Sequence, residues 1–292
     1  MPRYLSDTFL NGNYRKYFDI PYFDASADQR LDLWLPADGT GPFPTVLFFH
    51  GGAFRHGEKR EDQSEPALRM LDRGFAVADV EYRKSGEARF PAMLYDAKAA
   101  VRFLRANADR YGLDAGRFAA FGASAGGWIV SMLGLTAGNR AFEDLSMGNA
   151  EYSSAVQAVV DWCGPCGDFL KMDSDFEKGA VRNAYGHSGA DSMESLFLGA
   201  AVRNVPELCR LSSPYIYADG KAPEFLILHG DGDETVPIGQ SYRLYEAICA
   251  AAGEGRAEMH VIGNMPHHGP VWNDSRTVAE YTEKFLMRTI GK

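Results

Sequence analysis

The stretch over residues 118–127, FAAFGASAGG, decides how this chain is read. An apolar run ends in the spacing Gly-x-Ser-x-Gly, with Gly122, Ser124 and Gly126, and passes directly into the helical pattern GGWIVSMLGL. A strand that enters a helix through small residues is the setting of a nucleophile elbow, a strained turn that closes only where its flanking side chains are small. Ser124 would then project its hydroxyl beyond the end of a sheet, near the positive end of the following helix. A tight strand-to-helix turn with an incidental serine has the same local pattern, so the rest of the chain must supply the partners.

Upstream, HGGAF (His50 to Phe54) ends an earlier apolar run, TVLFFHGG. Successive glycines let the backbone turn its N–H groups toward a developing oxyanion, so Gly51 and Gly52, with the N–H of Ala125, are the candidate oxyanion hole. His50 itself is read as structural. A serine hydroxyl is a weak nucleophile at neutral pH and needs a base, which in turn needs an orienting carboxylate. Downstream, LILHGDGDETVP supplies Asp231 and Asp233 just past a late strand pattern, and GNMPHHG supplies His267 and His268 after the last one. The chain order is Ser, Asp, His, the order of the α/β-hydrolases.

With these motifs in place the chain resembles the α/β-hydrolase esterases of the His-Gly-Gly, hormone-sensitive-lipase-like group, and within it the acetyl-xylan/feruloyl esterase-like enzymes. The resemblance spans roughly residues 14–290 and rests on HGGAF, VEYR, FPAMLYDAKAAVRFLRANADRYGLD, FGASAGG, ESLFLG, SPYIYA, FLILHGDGDETVPIGQS and the terminal HHG. It implies Ser124 as the nucleophile. Family members commonly read His-Gly-x-x-Asp-x-x-Val-Pro, which selects Asp233 over Asp231, and place the base directly before a glycine, which selects His268. Here NMPHHG departs from the pattern with a proline and a doubled histidine, so His267 is the competing base. Tyr82 and Arg83 are left outside the catalytic set, and Trp128 is read as core packing. The implied reaction is two-step acyl transfer on a small-molecule ester of short-acyl or aryl type, carried by acetylated or feruloylated carbohydrate, with no cofactor and no metal. Alternatives are an aryl formamidase-like amide hydrolase, a peptidase-like α/β-hydrolase and a catalytically silent binding protein.

The wider pattern agrees with an α/β class. Short apolar runs alternate with helical ones, which predicts a mostly parallel sheet of about eight strands with helices on both faces. RKYFDIPYF and RLDLWLP read as opening antiparallel strands, FAVADVEYR, AVQAVVDW, EFLILHGDGD and AEMHVIG as later ones. The aromatic run Tyr14, Tyr17, Phe18, Tyr22 and Phe23 reads as strand packing. Pro91 opens a helical pattern over 92–110 with Met93, Ala97, Ala100, Val101 and Leu104 on one face, and further helices are expected near 239–252 and 276–290. The segment of about 164–222 breaks this rhythm and is read as a cap-like insertion within a single domain over 1–292, lying at the carboxyl ends of the strands, where open α/β sheets bind ligands.

Bulk properties narrow the partners. In 292 residues, 46% hydrophobic and 24% charged, the net charge of −9 argues against nucleic acid and anionic membrane surfaces. No apolar run is long enough to span a bilayer, and the first residues lack the apolar stretch of a secretory signal, so the expected location is cytoplasmic. A homodimer is left open. The 4 cysteines are too few for a disulfide framework. Cys209 and Cys249 are isolated, which denies a structural zinc site its second cysteine pair. Trp162 to Cys166, WCGPC, matches the thioredoxin string, but that chemistry needs its first cysteine at a helix amino terminus. Here the string falls where these hydrolases turn from a strand through an aromatic-x-Gly-Pro sequence.

Overall fold

The computed structural model describes residues 4–179, 181–267 and 269–291. The eight apolar patterns form eight strands: β1 (Arg15–Pro21), β2 (Arg30–Leu35), β3 (Phe43–Phe49), β4 (Ala76–Val80), β5 (Leu113–Ala123), β6 (Ala158–Trp162), β7 (Glu224–Gly230) and β8 (Ala257–Ile262). They make one sheet in the order β1-β2-β4-β3-β5-β6-β7-β8. β2 is antiparallel to both its neighbours, and every pairing from β4 across to β8 is parallel.

β3, β4 and β6 are buried at every position. This explains their near-continuous hydrophobic runs, since strands covered on both faces show no polar alternation. Their side chains nevertheless alternate between two separate cores. Leu47, Phe49 and Val159 pack on one face with helices α1 (Ala92–Ala106), α2 (Ala125–Leu135) and α3 (Gly239–Ala252). Val46, Phe48, Val160 and Trp162 pack on the other with Leu68, Leu71 and the residues Val278, Phe285 and Leu286 of α4 (Arg276–Thr289).

The expected helix over 92–110 is in fact two. α1 stops at Ala106, and a short turn of helix follows over Ala108–Tyr111. The break falls at Asn107, whose backbone leaves the helical region at φ −105°, ψ 16° and whose side-chain amide donates to the Phe103 carbonyl at 2.9 Å beside its own backbone N–H at 3.1 Å. α2 is buried along its whole length, as expected of a helix apolar on every side.

Strand order sets the position of the site. β3 lies between β4 and β5, so the chain winds outward in one direction through β4 and then in the other from β5 to β8. At such a reversal the loops leaving adjacent strands diverge and open a crevice at the carboxyl ends. The His-Gly-Gly loop leaves β3 there and the serine turn leaves β5 beside it, with Phe49 paired to Gly122. Residues 164–222 carry short helices over Met172–Lys178, Met193–Leu198 and Pro206–Leu211. Phe197 from this segment stacks on Phe54 at 4.2 Å and meets Trp128 edge-on at 4.9 Å, while the Trp128 indole donates to the Ser212 carbonyl at 2.7 Å. The segment is thus fastened to the helix that follows Ser124, and Trp128 is a packing residue with no exposed surface.

Candidate active site

Ser124 sits between β5 and α2 at φ 56°, ψ −120°, a conformation that a side-chain-bearing residue adopts only under constraint. The constraint is visible. The Ser124 N–H donates to the Trp162 carbonyl of β6 at 2.8 Å, and Trp128 N–H returns to the Ser124 carbonyl at 3.1 Å. A Cβ on Gly126 would lie 1.9 Å from the Phe49 carbonyl oxygen, so only glycine lets α2 start this close to β3. The turn therefore delivers the serine hydroxyl to the crevice at fixed height.

The imidazole that meets it belongs to His267. Its Nε2 lies 2.8 Å from Ser124 Oγ and its Nδ1 lies 2.7 Å from Asp233 Oδ2. His268, the base chosen from the glycine-adjacent pattern, lies outside the described residues; the histidine that the structure brings to the serine is its neighbour. The loop is anchored so as to present that residue. Met265 is buried and its carbonyl accepts from Gly232 N–H at 3.1 Å, the Pro266 carbonyl accepts from the Trp272 indole at 2.7 Å, and the His267 carbonyl faces Cys163 Sγ at 3.6 Å. With one carbonyl after another held, the position of His267 in the loop is fixed. Trp272 lies on the far side of the doubled histidine, where the motif HHG gives no hint of it.

Asp233, not Asp231, faces the imidazole. Its Oδ1 accepts from the N–H groups of Thr235 and Val236, both at 2.8 Å, leaving Oδ2 for His267. Asp231 instead accepts from the Asn264 N–H and ties the two loops together. A further residue, overlooked in the sequence, completes the arrangement. His229, fully buried at the end of β7, approaches Asp233 Oδ2 at 3.2 Å and the Val236 carbonyl at 2.9 Å through Nε2, while its Nδ1 meets Ser241 Oγ at 2.7 Å. Burial alone would push the Asp233 carboxyl up, yet the charge of His267 and the hydrogen bonds from both histidines outweigh it and hold the group well below the usual carboxylate range. The signal was present in LILHGDGD, where a histidine ending a strand that is otherwise apolar needs buried partners.

The proposed oxyanion donors divide. A Cβ on Gly51 would lie 3.2 Å from Ser124 Cβ, so the loop does face the serine. Its N–H, however, donates to Gln63 Oε1 at 2.9 Å, which removes Gly51 from the set of open donors. Among the described residues the N–H groups of Gly52 and Ala125 have no hydrogen-bond partner, and neither does that of Ala53. Ala125 opens α2, where unpaired N–H groups and the helix dipole favour negative charge. Gly52 adopts φ +121°, and a Cβ there would meet the His56 carbonyl at 2.0 Å. His50 is 1% exposed, paired with Glu81 at 2.9 Å and stacked on Tyr82, whose hydroxyl donates to the His50 carbonyl at 2.8 Å. It braces the loop from below and does not reach the crevice. Arg83 is spent on Asp96 in a forked ion pair.

The two cysteines of WCGPC end on different faces of the sheet, Cys163 in the core beside α4 and Cys166 in the core beside α2. Both are free thiols, and burial, with Asp233 and Asp161 near Cys163 and Asp161 near Cys166, pushes each well above the ordinary range for a thiol. Neither is the helix-activated thiolate that disulfide exchange requires.

The fold and the crevice define the chain as an α/β-hydrolase. It belongs to the BD-FAE family, whose model matches residues 31–248. Among solved structures, a truncated carbohydrate esterase from gut microbiota is 27% identical, covers 99% of this chain and 100% of its own, and superposes with a TM-score of 0.85. A bifunctional GH43-CE protein of Bacteroides eggerthii is 32% identical over 94% of this chain and 35% of its own, with a TM-score of 0.80. Among curated proteins, Esterase LipC of Mycobacterium tuberculosis is 29% identical over 77% of this chain and 53% of its own, and Esterase LipQ of the same organism 28% identical over 97% and 66%. The chain thus spans between half and two thirds of the length of these curated relatives. Among the described residues no helix is long and apolar enough to cross a membrane.

Proposed function

We propose that this protein is a serine carboxylic-ester hydrolase acting on short-acyl esters of carbohydrate. One observation carries the reading: Ser124 Oγ, His267 and Asp233 form a continuous hydrogen-bonded chain with steps of 2.8 and 2.7 Å. With the Nδ1 proton shared with the carboxylate, Nε2 is left as an acceptor, so His267 takes the Ser124 proton as the hydroxyl attacks the ester carbonyl. The resulting oxyanion is met by the N–H groups of Gly52 and Ala125. The imidazolium, stabilised by Asp233, protonates the departing alcohol, and water releases the acyl group by the same route in reverse. His229 and Ser241 act as positioning residues that hold the carboxylate against His267.

The carbohydrate assignment is supported by the two neighbours described as carbohydrate esterase and GH43-CE. A second reading, an alkyl ester of a non-sugar group, is supported by relatives named isoprenylcysteine alpha-carbonyl methylesterase, such as that of Arabidopsis thaliana, 26% identical over 82% of this chain and 53% of its own. The test is a hydrolysis panel of acetylated xylooligosaccharides, methyl ferulate, N-formylkynurenine, an S-alkyl cysteine methyl ester and aryl acetates of rising chain length, with fluorophosphonate labelling alongside. The expected result is preference for the acetylated sugars and labelling at Ser124 that is lost in Ser124→Ala. Turnover retained by Ser124→Ala would overturn the mechanism. Preference for the methyl ester would overturn the substrate class, and a chain that neither labels nor turns over would be a binding protein.

A further inference from the structure

Between the serine strand and the aspartate strand lies β6, and the residue that leaves its end is Cys163. The Cys163 N–H donates to the Leu228 carbonyl of β7 at 2.8 Å, and on the other side the Trp162 carbonyl holds the Ser124 N–H. At φ +45° the backbone is bent there, and the side chain, 2% exposed, is directed toward the histidine loop, where Sγ lies 3.6 Å from the His267 carbonyl. This brings three metal-binding side chains of different type together. The Cys163 sulfur, a carboxylate oxygen of Asp233 and a ring nitrogen of His267 lie within 4.8 Å of one another. The ester-hydrolysis reading uses two of these groups and has no need of the third.

We propose that Cys163, Asp233 and His267 form an inhibitory binding site for a thiophilic divalent cation, with zinc the best match to the donors. A sulfur, nitrogen and oxygen set suits zinc, whose bonds of about 2.0–2.3 Å put tetrahedral donors roughly 3.3–3.8 Å apart. Closing from the observed spacing takes small side-chain rotations and leaves the fourth position for water or Ser124 Oγ. On binding, the Cys163 S–H proton leaves to solvent as the sulfur–metal bond forms, the Asp233 oxygen donates a lone pair, and no redox change occurs. Attachment to the imidazole stops hydrolysis at either nitrogen. At Nε2 the cation takes the lone pair that Ser124 needs, and at Nδ1 it moves the ring proton to Nε2 and separates the imidazole from its carboxylate. The inhibition rests on the proposed roles of His267 and Asp233, whereas the binding does not.

The experiment separates these. Binding of Zn²⁺ is followed by calorimetry and thermal shift on the full chain carrying Ser124→Ala, which cannot hydrolyse esters, with Co²⁺ as a spectroscopic probe on the otherwise native chain. The expected result is one site, a thiolate-to-cobalt charge-transfer band, and at least about a tenfold weaker Zn²⁺ affinity when Cys163→Ser is added, with Cys166→Ser unchanged. In chains with Ser124 intact, the Zn²⁺ concentration that halves turnover shifts by the same factor, and a chelator restores activity. No charge-transfer band, or equal Zn²⁺ affinity with and without Cys163, overturns the proposal; the cobalt spectrum needs no variant and so decides the matter if Cys163→Ser fails to fold. Tight Cys163-dependent binding in a chain that hydrolyses no ester would uphold the metal site and overturn the esterase reading alone.

Discussion

Replacing Asp233 by Asn tests whether the carboxylate acts through the tautomer of His267, and the surrounding bonds set the size of the effect. The Asn oxygen must occupy the Oδ1 position, because the N–H groups of Thr235 and Val236 both point there at 2.8 Å. The amide NH₂ then faces His267 Nδ1, which becomes an acceptor, and the ring proton moves to Nε2, where it blocks proton transfer from Ser124. Flipping the amide would restore the useful tautomer but would confront two backbone donors with a third. Leaving them unsatisfied costs about 1–3 kcal/mol each. Even at about 2 kcal/mol in all, the flipped form is only ~3% populated, which alone lowers turnover about 30-fold. Loss of the negative charge beside the imidazolium adds to this, for a total near 10³–10⁴, or about 4–5.5 kcal/mol at 1.36 kcal/mol per decade. Asp233 is 2% exposed behind the imidazole, so KM for an aryl acetate should stay within about threefold of the native value while kcat falls. A loss in kcat smaller than about 30-fold, with the variant folded by near-ultraviolet circular dichroism, would refute this account of the carboxylate.

Alanine at His267 should cost at least about 10³ in kcat, and alanine at His268 less than about tenfold, measured on the same ester; the reverse order would return the base to the position that the family pattern favours. His229→Ala and Ser241→Ala should each lower kcat by about tenfold or more with KM little changed, since each removes support for Asp233 and touches no substrate, and a pure loss of thermal stability with full kcat would reduce both residues to packing. Asp79, fully buried on β4, is pushed up to about 7 by burial, with the charge of Asp32 adding to it. Its folded pKa lies above the unfolded value, so the stability it contributes is complete below about pH 4 and is lost as pH rises through about 7. Asp79→Asn should therefore flatten the decline in the free energy of urea unfolding between pH 5 and pH 8, by up to about 2.5 kcal/mol, and an unchanged decline would refute the assignment.

Much of this was legible because the determining forces are local or periodic. Continuous apolar runs report strands covered on both faces, as at β3, β4 and β6, whereas the largely exposed β1 and half-exposed β8 show only through their β-branched and aromatic residues. Gly122, Ser124 and Gly126 could be placed because backbone proximity, such as the 1.9 Å that a Cβ on Gly126 would leave, admits no other residue type. What stayed hidden depends on contacts distant in sequence. Nothing in HGGAF shows that Gln63 will claim the Gly51 N–H, and nothing in FAVADVEYR or AVQAVVDW announces that burial will push the Asp79 and Asp161 carboxyls up. The break at Asn107 was readable in principle, since asparagine competes for backbone partners, but one polar residue in a long periodic stretch is a weak signal. The choice between the two histidines is hidden for a related reason. Adjacent histidines differ by one residue in the chain, and the decision between them is made by carbonyl contacts to Gly232, Cys163 and Trp272.

The contrast between FGASAGG and WCGPC shows which short motifs carry information. Each is a few residues long, and each names a reaction. The reactivity of the first depends on a backbone turn, and its residues are those that the turn requires, so finding them after a strand pattern and before a helical one already tests the geometry. The second depends on an electrostatic setting, a helix amino terminus that lowers a thiol pKa, which none of its five residues can create. Cys163 instead ends a strand beside Asp233, in surroundings that push the thiol in the opposite direction. The same sulfur lies close enough to a carboxylate and an imidazole to share a cation with them. Its chemistry is therefore set by where β6 stops, and that is fixed by the pairing of β5, β6 and β7.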